Sequence, residues 1–194
     1  MLLNRLVKFL NDRKSKSYPY SDILHLWEDD YAMIELVPSE NLEFAIQEGQ
    51  RINEFGEKHR DGLGFSDITE IAELKVKVLD RQLGFSKVLG IFQSTELPPI
   101  TKVVHQNAGL KKSEDPPFGF GSQKFGILLE ENDGHLNRIW LTGSTKNEEI
   151  KNHMKLGLRK FCKYFDFIAV NWYQGTVFDL REENQLLEFV NKVC

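Results

Sequence analysis

Five histidines (His25, His59, His105, His135 and His153) and two cysteines (Cys162 and Cys194) are the side chains on which metal or nucleophilic chemistry could rest. None falls into a His-x-x-x-His, Cys-x-x-Cys or His-Glu-x-x-His pattern, the spacings that bring ligands together on one turn or helix face. The stretch HRDGLGFSD does place His59, Asp61 and Asp67 close together. An imidazole beside two carboxylates could hold a hydrated cation or move a proton. A turn between two elements uses the same Asp and Gly residues and is the simpler account of them. No Gly-x-Ser-x-Gly elbow occurs, and neither cysteine carries a local nucleophile signature. The residues therefore assign no catalytic side chain, no metal site and no cofactor. The competing possibility is a small hydrolase or metal-assisted enzyme built around His59, Asp61 and Asp67.

A second chemical candidate is SEDPPFGFGSQKFG, from Ser113 to Gly126. A phosphate-binding loop needs its glycines between a strand and a helix, where free backbone N–H groups and the helix dipole meet the anion. Here the glycines lead into a strand pattern, and no Gly-Lys-Ser/Thr follows. Pro116 and Pro117 stiffen the backbone, while Phe118 and Phe120 alternate with Gly119 and Gly121. The pattern predicts a recognition loop with two aromatic anchors; the competing outcome is that both rings tuck into the core.

Charge patterning adds two surfaces. WEDDY, Trp27 to Tyr31, sets Glu28, Asp29 and Asp30 between two aromatics, a combination suited to a basic protein partner, although a pre-strand turn has the same composition. Lys151, Lys155, Arg159 and Lys163 recur every fourth residue as a stripe that reads as a solvated helix face. With 25 basic and 29 acidic residues the formal net charge is −4, which argues against a general nucleic-acid binder. Two cysteines form no disulfide framework and suit a reducing cytoplasm. The opening MLLNRLVKFLNDRK is interrupted by Asn4, Arg5 and Lys8, so it reads as an amphipathic helix rather than a targeting segment. No apolar run reaches the roughly 20 residues that span a bilayer.

These residues must be positioned by elements that periodicity can place. YAMIELV, Tyr31 to Val37, reads as a strand with Tyr31, Met33, Glu35 and Val37 on one face and Ala32, Ile34 and Leu36 on the other. Both faces are largely apolar, so a central strand would leave Glu35 partly buried and needing a partner or a raised pKa; the plainer alternative is a half-exposed position near the sheet's end. Ser39 caps a helix to about His59, with Leu42, Ala45, Ile46, Gly49 and Ile52 as its apolar stripe. Leu74, Val76 and Val78 alternate like a strand, but the segment around 68–80 stays open; Phe85 to Phe92 fits a helical turn. From about 93 to 123 there is a long loop, with ITKVV its one short strand pattern. KFGILLEE and HLNRIWLTG flank Asn-Asp-Gly, which predicts a β-hairpin. A helix follows with Ile150, Met154, Leu158, Phe161 and Phe165 inward. FIAVNWY and TVFDL form a second hairpin, and Asp179 with Glu182 has capping-box spacing for a last helix. The 194 residues thus read as one α+β domain with a mixed or antiparallel sheet built from hairpins and helices packed mainly on one face.

DDYAMIELVPSEN and FDFIAVNWYQGTVFDL resemble segments of small uncharacterised bacterial proteins that include immunity proteins of interbacterial toxin systems. The likeness spans roughly a third of the chain and contains no diagnostic motif. It implies a cytoplasmic binding protein that neutralises a toxin by stoichiometric association and carries over no site residue. The residues expected to meet such a partner are Trp27, Glu28, Asp29, Asp30 and Tyr31, with Phe118 and Phe120.

Overall fold

The computed structural model describes residues 22–27, 31–61, 64–65, 69–105 and 118–193. The N-terminal helix expected around Leu3 to Leu10 lies outside them. The fold is α+β. Its centre is a seven-stranded sheet in the order β11-β10-β2-β9-β8-β7-β5, and every neighbouring pair in it is antiparallel. The strands are β2 (Ile34–Pro38), β5 (Pro99–Ile100), β7 (Phe118–Ser122), β8 (Phe125–Asn132), β9 (His135–Gly143), β10 (Phe167–Asn171) and β11 (Thr176–Asp179). Two further strands, β1 (Ile23–Leu26) and β6 (Lys102–His105), form a parallel pair, and β3 (Arg60–Asp61) pairs with β4 (Gly64–Phe65).

Local chemistry explains the best-read parts. Asp133 and Gly134 both adopt positive φ, 49° and 81°, in the two-residue turn that joins β8 to β9. The two expected hairpins do join one sheet, with β2 lying between them. Asn147 starts the helix after β9, its side-chain Oδ1 accepting from Glu149 N at 2.9 Å and Ile150 N at 3.2 Å.

The four described helices are α1 (Leu42–Lys58), α2 (Phe85–Gln93), α3 (Glu148–Tyr164) and α4 (Glu183–Val193). Helices α2, α3 and α4 pack on one face of the sheet against Leu36, Ile127, Leu129, Ile139, Leu141 and Ala169. Phe161 is fully buried there, its ring 6.0 Å from Phe92, 5.1 Å from Phe165 and 5.0 Å from Phe167. The opposite face is covered in two pieces. Helix α1 lies over Val37, Ile168 and Val170, and the β1–β6 ribbon lies over Leu128 and Trp140.

Several expectations change. The 93–123 segment is not a plain loop, because β5, β6 and β7 lie within it; its residues 106–117 lie outside the described set. The segment left open around Leu74, Val76 and Val78 is neither strand nor helix: residues 69–78 run as an irregular strap. The side-chain amide of Asn41 stands in for a strand neighbour, donating to Val76 O at 2.8 Å while its Oδ1 accepts from Val76 N at 3.1 Å. Ile46 is 43% exposed rather than on the inner stripe of α1, and Glu48 is buried in its place. Its carboxylate accepts two bonds from Arg51, 2.8 and 2.6 Å, and one from Ala72 N at 2.7 Å, which ties the strap to the helix. Asp179 does not form the expected capping box, because its carboxylate is taken by the Arg181 backbone N–H and guanidinium.

Candidate functional site

Between α1 and the β1–β6 ribbon, one part of the sheet face is left without a covering element. There the strap at 69–78 and the turn at 31–33 wall a half-open cleft of about 550 Å³. Its floor is built by strand alternation. Glu35 on β2 is cross-strand to Trp140 on β9 and Val170 on β10, so all three point the same way. Arg138, two residues before Trp140, shares that face, as does its cross-strand partner Glu130 on β8. Trp172 follows β10, its backbone N–H donating to Met33 O at 2.9 Å, and its ring closes one end of the floor.

These side chains form one polar chain inside an apolar wall. Trp172 Nε1 donates to Glu35 Oε2 at 3.0 Å, and Arg138 Nε lies 3.1 Å from Glu35 Oε1. Arg138 Nη1 donates to the Tyr31 hydroxyl at 3.0 Å, which donates to Glu130 Oε1 at 2.8 Å. Trp140 Nε1 donates to the same Glu130 oxygen at 2.9 Å. The Tyr31 ring meets Trp140 edge-on at 4.9 Å, and the Arg138 guanidinium sits 5.5 Å from the Tyr31 centroid. One guanidinium therefore serves Glu35 directly and Glu130 through the Tyr31 hydroxyl.

The charge balance shows in the titration of these groups. The Glu35 side chain is 14% exposed, and burial pushes its carboxyl above the usual range; the Trp172 hydrogen bond and Arg138 oppose this, while Glu130 adds to it. Burial also raises the Tyr31 hydroxyl, with Glu130 reinforcing the shift. Arg138 loses to burial but gains more from Glu35, Tyr31 and Glu130, so it stays charged. Of the two readings of Glu35, the structure shows the buried carboxylate with partners and not the plainer half-exposed position at the sheet's end.

The sequence-predicted site residues separate. Trp27 is 49% exposed at the end of β1, and Tyr31 is 48% exposed on the cleft rim; Glu28, Asp29 and Asp30 lie outside the described residues. Phe118 and Phe120 are not surface anchors. They sit on β7 opposite Leu129 and Ile127, on the helix-covered face. Phe120 is 1% exposed with its ring 6.1 Å from Phe92, and Phe118 is half-buried, 4.9 Å from Phe85. The Phe-Gly alternation is strand alternation: phenylalanines enter the core, and glycines leave room on the other side. A Cβ on Gly119 would lie 2.9 Å from Leu128 Cδ2 and 3.3 Å from Ile100 Cδ1.

His59 ends α1, its ring stacked 4.0 Å from Phe55 and its Nδ1 2.8 Å from Phe55 O. Asp67 and the Asp61 side chain lie outside the described residues. Among the described residues no group of three or more His, Cys, Asp or Glu could hold a metal ion. Cys162 is pushed up to about 12, first by burial and then by Asp179 and Asp166, which leaves a thiol rather than a thiolate at neutral pH. On the basic stripe Lys151 lies 3.2 Å from Glu148, and Arg159 pairs with Glu183. No helix among the described residues is long and apolar enough to cross a membrane.

Arg138, Glu130 and Trp172 were not singled out by sequence. Alternation in HLNRIWLTG does put Arg138 and Trp140 on one face, but nothing local says that Glu35 arrives beside them from over a hundred residues away. The class of protein that fold and site define is an α+β fold with an antiparallel central sheet and a polar-floored cleft on its less covered face. A scan of protein-family models, a search of curated proteins and a search of solved structures each return no significant match for this chain.

Proposed function

We propose that the chain is a cytoplasmic protein-binding module, an immunity-type inhibitor that neutralises a toxin by stoichiometric association. The observation that supports this reading is the pair of half-exposed aromatics, Trp27 and Tyr31, at the two ends of the acidic run 28–30, with Tyr31 on the rim of the cleft. Large aromatics left in water beside acids anchor and steer a partner. The polar groups at and behind the cleft are held to one another through Glu35, Arg138, Tyr31 and Glu130, a fixed arrangement that suits a preformed binding surface.

The test is to express the product of the gene directly upstream in a heterologous host, with and without this chain. Growth arrest that the wild type relieves and Trp27→Ala/Tyr31→Ala does not, with a one-to-one complex by calorimetry, is the expected result. A harmless upstream product, or rescue unaffected by the double variant, would overturn the reading.

A further inference from the structure

We infer that the cleft over Glu35 receives a lysine or arginine side chain projecting from the partner protein. The inference rests on the binding reading above for the source of that side chain, and on cleft geometry for its chemistry.

Three observations converge on a cation carried on an apolar stem. Glu35 lines the cleft; its Oε2 accepts from Trp172 Nε1 and its Oε1 is ion-paired with Arg138 Nε, so both oxygens keep acceptor capacity. Arg138, the cation of this polar chain, faces Glu35 directly and Glu130 through the Tyr31 hydroxyl, so the chain of groups at and behind the floor holds one more carboxylate than cation. An incoming anion would meet the Glu35 carboxylate with Glu130 behind it, whereas an incoming ammonium or guanidinium would meet acceptors in a poorly solvated place, where charge-assisted bonds are strong.

The walls suit the stem. Met33, Val37, Leu74 and Val78 flank the approach to Glu35 with apolar surface, and Trp172 supplies a ring. The mouth favours a side chain presented by a protein surface over an enclosed small molecule. Tyr31 and Ile71 stand 48% and 37% exposed on opposite walls, so apolar contact continues outside the cleft. The Glu73–Lys77 pair on the strap is satisfied within itself and adds no net charge to the rim.

The experiment uses the full chain, isotope-labelled, followed at the indole N–H signals. Trp172 lines the cleft and donates to Glu35, so its signal reports on the floor directly; Trp140, donating to Glu130, reports on the network behind it, and Trp27 serves as a control. The probes are butylguanidinium and four capped tripeptides: Ala-Arg-Ala, Ala-Lys-Ala, Ala-Leu-Ala and Ala-Glu-Ala. Both basic peptides and butylguanidinium should move the Trp172 signal saturably, and the neutral and acidic peptides should not. Glu35→Gln should weaken the basic peptides about tenfold or more, the loss expected for a hydrogen bond to a charged group.

The wild-type selectivity series stands even if that variant fails to fold. Equal response to all four peptides, preference for the acidic one, or no saturable shift would overturn the proposal. Binding of butylguanidinium with exclusion of both basic peptides would overturn it too, by showing an enclosed small-molecule site. The two readings fail separately: absence of toxin rescue leaves the peptide selectivity to be observed, and absence of selectivity leaves rescue intact.

Discussion

The two faces of the central sheet solve the burial problem in opposite ways. Under α2, α3 and α4 the sheet meets a continuous apolar layer, with the Phe92, Phe120, Phe161 and Phe167 rings packed among one another. On the other face, α1 and the β1–β6 ribbon leave a gap, and the strap at 69–78 bridges part of it through Asn41 and Glu48. Close-packed hydrocarbon needs only shape, but a buried carboxylate or amide needs specific partners. The first face is therefore built for stability, and the second keeps a cleft at the cost of a polar network that must be satisfied.

The largest break in that contrast should come from the packed face. Phe161→Ala should cost about 3–5 kcal/mol, because the ring is fully buried among three others and its cavity cannot close. A denaturant titration that finds less than about 1 kcal/mol would show the two faces to be equally tolerant. Phe120→Ala should likewise destabilise, by about 3 kcal/mol or more, and should leave the affinity for the partner unchanged.

Next in size is the strap. Asn41→Ala removes two bonds to Val76 and one to Pro38 O at 3.1 Å, leaving buried backbone groups unpaired. A loss of about 2 kcal/mol is expected, with faster amide hydrogen exchange confined to residues 69–78. Uniformly faster exchange would mean that the strap is no separate unit.

A sharper test is pH. Because burial holds the Glu35 carboxyl above its ordinary value, the folded chain binds that proton more tightly than the unfolded chain. Glu35 therefore adds stability that is full below its unfolded pKa and is lost as pH rises through the folded one. The groups facing it are Arg138 on β9, Glu130 on β8, Tyr31 in the turn and Trp172 after β10. From about pH 4, near the ordinary carboxylate value, upward to neutrality, wild type should lose stability relative to Glu35→Gln. A difference that stays flat across that range would show that burial does not control this group.

The smallest expected effect on folding is the most telling for function. Trp27→Ala removes a half-exposed ring and should shift stability by no more than about 0.5 kcal/mol while abolishing toxin rescue. A large loss of stability would move Trp27 from the binding surface into the fold.

Local sequence determined the elements whose signals are short-range: the Asn-Asp-Gly hairpin, the inward stripe of α3, and the two-sided apolar strand that carries Glu35. Even there, a positive φ of 54° at Ala32 puts Tyr31 to Met33 in a turn and delays β2 to Ile34. Tertiary structure alone decided the rest. Phe118 and Phe120 became core because β7 pairs with β8 and turns its odd-looking Phe-Gly repeat towards the helices. Leu74 to Val78 lost the strand its alternation suggested because a side-chain amide, rather than a backbone, supplies its partner. The cleft itself joins residues from the stretches 31–37, 71–78 and 137–138 with Trp172. Period-two alternation assigns each side chain to a face, but which strands lie side by side is set by long-range packing, and no local pattern encodes it.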